Sequence, residues 1–350
     1  MTRRDHPAQN PMQQPTAAVK PPADDAAAVA RLSEARAKLR AEIAKAVVGQ
    51  DAVLDALLIA LLCRGHVLML GVPGLGKTLM ARTIARALEM DYRRIQFTPD
   101  LMPSDITGTD IIEEDPETGR RKLEFFEGPL FTNFLLADEI NRAPPKTQAA
   151  LLQAMQELEV SVGRRTYKLE PPFFVVATQN PIEQEGTYPL PEAQLDRFMF
   201  NVPVTYPSPD EEATIVKTTT TNVQTDVKPA LTAAEVLRLQ ELVRGVPVAE
   251  AVVRYAVNMV GASRPGYGAK RDTVHRFIRY GGSPRAAQYL ILGAKARAVL
   301  RGHCHVDFAD VQAVAVPVLR HRLVLNFHAR SEGIDADALI HRLIELVPAR

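Results

Sequence analysis

Gly71-Val72-Pro73-Gly74-Leu75-Gly76-Lys77-Thr78 carries the residue types of an anion cradle, and two residue groups downstream could complete a hydrolytic site around it. Glycines let successive backbone N–H groups turn toward one point, and such a nest binds phosphate. Lys77 at the end of the loop can reach β- and γ-phosphates, and the Thr78 hydroxyl can ligate Mg²⁺. Further on, Phe134-Leu135-Leu136-Ala137-Asp138-Glu139 is an apolar run ending in two carboxylates. Asp138 can hold Mg²⁺ through water, while Glu139 can polarise an attacking water. A third run, Phe173-Phe174-Val175-Val176-Ala177-Thr178, ends in Gln179-Asn180. The Asn180 amide can orient that water, or it can simply start the turn before Pro181. The chemistry implied is binding and hydrolysis of a nucleoside triphosphate.

These groups need elements to hold them. Val67–Leu70 before the cradle reads as a buried parallel strand, and Leu79–Leu88 after it as an amphipathic helix whose N-terminus faces the anion. Short apolar strands at Phe131–Leu136, Phe173–Ala177 and Phe198–Val202 alternate with helical segments. Continuous apolarity marks strands buried on both faces, which predicts an α/β fold: a P-loop three-layer αβα core around a parallel sheet. Two excursions read as hairpins, 111–126 about the turn 115–119 within a longer insert, and 160–169 about Gly163-Arg164-Arg165. Either could be plain surface decoration.

Around this core, residues 1–27 form a Pro/Ala-rich leader expected to be disordered, with ordered structure from near Val29. Val29, Leu32, Leu39, Ile43 and Val47 lie at helical spacing, and a second helix is expected over Asp51–Leu62. After Pro207-Ser208-Pro209 the pattern becomes purely helical, starting with a capping box at Thr232 and Glu235. Helices follow at Ala249–Val260, Pro284–Leu300, Phe308–Leu319 and Ile334–Leu346. The expected division is a tail 1–27, a core 28–207 and a helical lid 208–350.

Composition sets limits. Lys and Arg number 42 against 41 Asp and Glu, a net charge of +1, which argues against bulk attraction to nucleic acid or anionic membrane. The basic run from Lys270-Arg271 through Arg276 and Arg279 reads as a solvated face. Cys63 and Cys304 are far apart and read as core thiols of a reducing, cytoplasmic setting. His303-Cys304-His305 lacks a second ligand cluster and reads as a loop between helices rather than a metal site. The longest apolar run, Leu57–Cys63, is far shorter than the ~20 residues a membrane span needs. No secretory signal follows Arg3 and Arg4.

Long stretches of the chain resemble the MoxR branch of the AAA+ ATPases, from about residue 30 to 348. They include 96–108, Glu127-Gly128-Pro129-Leu130, 137–148 and 177–198. Leu70 departs from the family, which often has Glu there. The resemblance identifies 106–128 as the insert of a clade shared with magnesium chelatase and MCM helicases, and 160–169 as the hairpin before the sensor strand. It makes Asn180 sensor 1 and Arg197 an arginine finger serving a neighbouring subunit, where the bare sequence also allows a local Asp196–Arg197 pair. Ser283-Pro284-Arg285-Ala286 resembles sensor 2. An Arg in the first helical turn opposes the helix dipole by ~0.3–1 kcal/mol, and an anion such as the γ-phosphate, between lid and core, would reverse that penalty. Arg142 is a weaker candidate for an inter-subunit contact.

The nucleotide-binding set is then Gly71, Pro73, Gly74, Leu75, Gly76, Lys77, Thr78 and Leu79, with Asp138, and Val48 and Gly49 lining the adenine through backbone groups. Thr78 and Asp138 are the metal-side residues, and Glu139, Asn180, Arg197 and Arg285 the hydrolytic set. The resemblance implies an ATP-hydrolysing, Mg²⁺-dependent homo-oligomer, a hexameric ring, acting chaperone-like on a client protein beside a partner with a von Willebrand factor A domain. The rival reading is a nucleic-acid motor, since helicases share the insert. A scaffold that binds nucleotide without hydrolysis is disfavoured because all four hydrolytic residues are present.

Overall fold

The computed structural model describes residues 23–114, 121–182, 186–221, 226–266 and 274–349, with side chains from residue 34 onward. The leader up to residue 22, the turn at 115–119, Glu183-Gln184-Glu185 of the family-like run and Lys270-Arg271 lie outside the described residues.

The chain opens with two helices, α1 (Ala23–Ala44) and α2 (Asp51–Leu62), so helix begins at Ala23 rather than near Val29. Strand β1 (Val67–Leu70) leads through the glycine loop into α3 (Lys77–Ala87). Then come β2 (Tyr92–Gln96), the one-turn α4 (Pro103–Thr107), the ribbon β3 (Gly108–Glu114) and β4 (Arg121–Glu127), β5 (Phe134–Asp138) and α5 (Pro145–Glu157). A second ribbon, β6 (Glu159–Val162) and β7 (Arg165–Lys168), precedes β8 (Phe174–Gln179), α6 (Glu192–Leu195) and β9 (Phe200–Pro203).

Strands β2, β5, β8, β1 and β9 form one parallel sheet in that order. Alternate residues of each central strand enter different cores. Val67, Met69, Phe134, Leu136, Phe174 and Val176 face α1, α2 and α3, whereas Leu68, Leu135, Ala137, Val175 and Ala177 face α5. Burial on both faces is why these strands read as unbroken apolar runs, and each of the side chains larger than alanine contributes ~1.5–3 kcal/mol. Strand β2 escaped the sequence reading. It is the sheet edge, Tyr-Arg-Arg-Ile-Gln, with only Ile95 buried.

From Pro209 onward the chain is mainly helical: α7 (Pro209–Thr219), α8 (Ala233–Gly245), α9 (Glu250–Ala262), α10 (Pro284–Leu300), α11 (Phe308–Leu319), α12 (Phe327–Ser331) and α13 (Ala336–Leu346). It is not purely helical, because β10 (Ile278–Tyr280) pairs antiparallel with β11 (Val324–Leu325). Helix α7, for which the sequence reading named no helix, opens with Ser208 as N-cap, Pro209 at N1 and Glu211 at N3 in a capping box. The expected box at Thr232 and Glu235 also forms. Helices α8 to α13 share one continuous core with α1, α2, α3 and one sheet face, so the lid is packed against the flank of the core. The two ribbons also meet: Phe125 of β4 stacks on Tyr167 of β7 with centroids 3.9 Å apart, and Phe131 packs edge-on to both rings. Cys63 is buried as expected, whereas Cys304 is only half-buried.

Candidate active site

Because the sheet is parallel and β8 lies between β1 and β5, the segments leaving all three strands emerge at the same edge. They enclose a cleft of about 290 Å³ lined by Pro73, Gly74, Leu75, Gly76, Lys77, Thr78, Asp138, Glu139 and Asn180, together with Arg94, Gln96 and Thr178. The first nine are expected site residues; the last three were not singled out in the sequence.

Gly74 and Gly76 have φ of 87° and 73°, which side-chain-bearing residues rarely adopt, and space above both is open. Lys77 Nζ folds back on the loop, donating to the carbonyls of Gly71 and, at 3.0 Å, Val72. Partial burial lowers its pKa, while Asp138 and Glu139 oppose that shift. A polyanion here would find open space, a lysine and the N-terminus of α3 at one point. Thr78 and Asp138 supply oxygen donors to that cleft, the chemistry Mg²⁺ takes alongside waters and phosphate oxygens, so the residues fit the ion.

The two carboxylates are held from three sides. Thr178 Oγ1 donates to Asp138 Oδ1 at 2.5 Å and accepts from the Glu139 N–H at 2.9 Å. Arg94 of β2 donates to Asp138 Oδ2 from Nη2 at 2.7 Å and from Nε at 3.1 Å. Gln96, also on β2, donates to Glu139 Oε2 at 2.7 Å, and Arg142 reaches the same oxygen at 2.9 Å. Sequence could not offer Arg94 or Gln96, because their strand lacks the apolar signal. Asn180 lines the cleft while its Oδ1 accepts from the Ile182 N–H at 3.1 Å, so it both starts a turn and faces the site.

Other expected residues lie elsewhere. Leu79 is on the α3 surface and is not among the cleft's lining residues. At Gly49 (φ 69°) a Cβ would stand 2.3 Å from Glu211 Oε1, and Gln50 donates to the Thr205 carbonyl at 2.8 Å. Val48-Gly49-Gln50 thus packs where the core joins α7. Arg197 precedes β9, beside β1 but at the other end of the sheet: Val67 is level with Phe200 and Leu70 with Pro203. Its guanidinium forms no ion pair or hydrogen bond among the described residues, so the local pair with Asp196 is not formed. Arg285, in the first turn of α10, lies 3.7 Å from Asp196 and does not line the glycine-loop cleft. The reason is the lid's position, with α10 and α11 against α2 and β9 rather than over the glycine loop.

A parallel αβα core with a glycine-loop cleft at the strands' C-terminal edge, followed by a helical lid, defines a P-loop ATPase of the AAA+ class. Residues 66–200 match the ATPase family associated with various cellular activities (AAA), and residues 270–343 match the AAA lid domain. The chain is 46% identical over 307 residues to Chaperone MoxR1 of Mycobacterium tuberculosis, covering 87% of this chain and 80% of that protein. It is 35% identical to Protein MoxR of Paracoccus denitrificans, covering 91% of this chain and 96% of that one. A crystal structure from Cytophaga hutchinsonii, of a chain assigned as an ATPase, superposes with a TM-score of 0.83 at 39% identity, covering 91% and 96% of the two chains. The chain belongs to the MoxR family of AAA+ ATPases. No helix among the described residues is long and apolar enough to cross a membrane.

Proposed function

We infer that this chain hydrolyses ATP with Mg²⁺ at sites shared between copies of itself in a ring, a hexamer by the family's pattern, and uses the turnover to remodel a client protein. One observation carries the shared site: Arg197 and Arg285 are at the opposite end of the sheet from the glycine loop. Strand β1 alone spans ~10 Å between those levels, longer than an arginine side chain. For Arg197 or Arg285 to meet a γ-phosphate, that phosphate therefore has to be a neighbour's.

In this reading Lys77 and the loop N–H groups bind the phosphates, and Leu79, Val48 and Gly49, outside the phosphate cleft, border the adenosine part of the nucleotide. Thr78 and Asp138 hold Mg²⁺, which neutralises charge developing on the phosphate oxygens. Glu139 accepts a proton from the attacking water, Asn180 orients that water, and Arg197 and Arg285 of the adjacent copy stabilise the transferring phosphoryl group. The likeness to a named chaperone supports a client-directed role, and the family resemblance supports a partner bearing a von Willebrand factor A domain. The ribbon β3–β4 suits client contact: Ile112 (69% exposed) and Phe126 (65%) lie open on it, and phosphate chemistry requires neither. The cytoplasm, with its ATP supply, is the proposed setting.

Subunit mixing tests the shared site. Arg197→Ala should keep ATP binding and lose turnover by ~10³-fold or more. Adding Glu139→Gln subunits, inactive themselves but intact at Arg197, should restore part of it. Lack of recovery despite demonstrated co-assembly would sink the reading.

A further inference from the structure

Arg322, just after α11, is buried, and a buried guanidinium is tolerated only when its donors are matched. All five are. Nε donates to Asp196 Oδ1 at 2.7 Å, Nη1 to the carbonyls of Met199 (3.1 Å) and Val318, and Nη2 to those of Asp196 (2.9 Å) and Phe198 (2.6 Å). Four of these bonds end on 196–199, the segment that carries Arg197 into β9. The guanidinium also lies over the Tyr289 ring, 5.1 Å from its centroid, and the Tyr289 hydroxyl donates to the Arg197 carbonyl at 3.4 Å. The two preceding residues grip the same stretch: Arg320 donates to the Asn201 carbonyl at 2.9 Å and His321 Nε2 to that of Phe198 at 3.0 Å. Asp196 is the hub, since it also accepts from Ser283 Oγ at 3.1 Å and lies beside Arg285.

We propose that Arg322 is a positioning residue for hydrolysis at the neighbouring copy's cleft, holding Arg197 and Arg285 in one frame through Asp196 so that both arginines are delivered together. This rests on the reading of Arg197 as acting across a subunit boundary. The planar fork matters: lysine keeps the charge but, as a point donor on a flexible stem, cannot satisfy acceptors on both sides of the segment. A displacement of about 1 Å at a group that meets the transition state costs on the order of a hundredfold in rate.

The test uses the full chain with Arg322→Lys and, as an independent break of the same hub, Asp196→Asn. Each should keep KM for ATP and nucleotide affinity within about twofold while kcat falls by about a hundredfold. Glu139→Gln subunits should restore turnover to each, as to Arg197→Ala. Unchanged kcat in either variant overturns the proposal. So does affinity falling in step with kcat, or no recovery on mixing where Arg197→Ala does recover, since either marks a merely structural role. If Arg197→Ala itself fails to recover in co-assembled rings, the shared-site reading falls and takes this inference with it.

Discussion

Glu139 adopts the left-handed backbone region (φ 56°, ψ 49°), a conformation that costs a residue with a side chain on the order of 1–2 kcal/mol. It is held there by the Glu139 N–H bond to Thr178 Oγ1, the same hydroxyl that donates to Asp138. Strain of this kind persists where the surroundings over-determine it, and here it turns the glutamate toward the glycine loop. Glu139→Gln should therefore retain ATP affinity and lose turnover by ~10²–10⁴-fold, whereas Lys77→Ala should weaken nucleotide binding itself. Direct titration with ATP alongside steady-state rates separates the two, and near-normal turnover in Glu139→Gln would remove it as the base. Thr178→Val leaves a backbone N–H and a carboxylate oxygen short of a partner. Its expected signature is ~1–3 kcal/mol of lost stability together with reduced turnover. The loop and the acidic pair were legible because each is a short motif at the tip of an apolar strand. Arg94, Gln96 and the Arg322–Asp196 pair were not, since strand pairing and a contact across 126 residues leave no local pattern.

At the level of elements, His66 joins three. Its Nε2 donates to the Met155 carbonyl in α5 and its Nδ1 accepts from the Val175 N–H in β8, each at 3.1 Å, at the entry to β1. Acceptance at Nδ1 needs a neutral ring, and burial pushes its pKa from 6.5 down to about 4. With the folded value below the unfolded one, the unfolded chain takes up the proton first. Stability is then full above pH 6.5 and declines as pH falls toward 4. The loss from this group reaches about 3 kcal/mol at the acid end. His321, half-buried beside Arg322, shifts in the same direction and adds to it. Denaturant unfolding across that range should show the decline, and His66→Gln should flatten it. An unaltered slope in that variant would mean the ring is not neutral when folded. Two elements of the lid show how legibility fails at this scale: β10 and β11 are too short for a strand period, and the pair forms only through long-range contact.

The ribbons make a separate prediction at the same level. Phe125 and Tyr167 stack them into one projecting unit on the α5 side of the sheet. Replacing residues 113–122 with a short turn should leave basal ATP hydrolysis intact and impair action on the client. If basal hydrolysis collapses with the ribbon removed, the ribbon serves the nucleotide site instead.

Across the whole molecule, the lid's seat against α2 and β9 is what separates this chain from the expectation drawn from its sequence alone. Ser283-Pro284-Arg285 starts a helix as its residue types require, but where that helix docks is decided by burial of α10 against α1, α2, α8 and α11. The consequence is a subunit with a phosphate-binding edge and an arginine-bearing edge, which the proposed ring would bring together between copies. What the proposed ring would grip follows from charge. With 42 basic and 41 acidic residues there is little field to draw in a polyanion, and on the ribbon Ile112 and Phe126 are exposed among glutamates that pair with Arg121 and Lys122. Acidic residues repel phosphate and apolar ones suit a polypeptide. ATP hydrolysis should therefore be indifferent to single- or double-stranded DNA and to RNA at physiological salt, and respond to a protein client or to a partner with a von Willebrand factor A domain. A nucleic-acid motor would behave oppositely, with stimulation by the polymer and binding that falls steeply as salt rises through counterion release. Strong DNA stimulation at physiological salt would displace the chaperone reading and put the motor in its place.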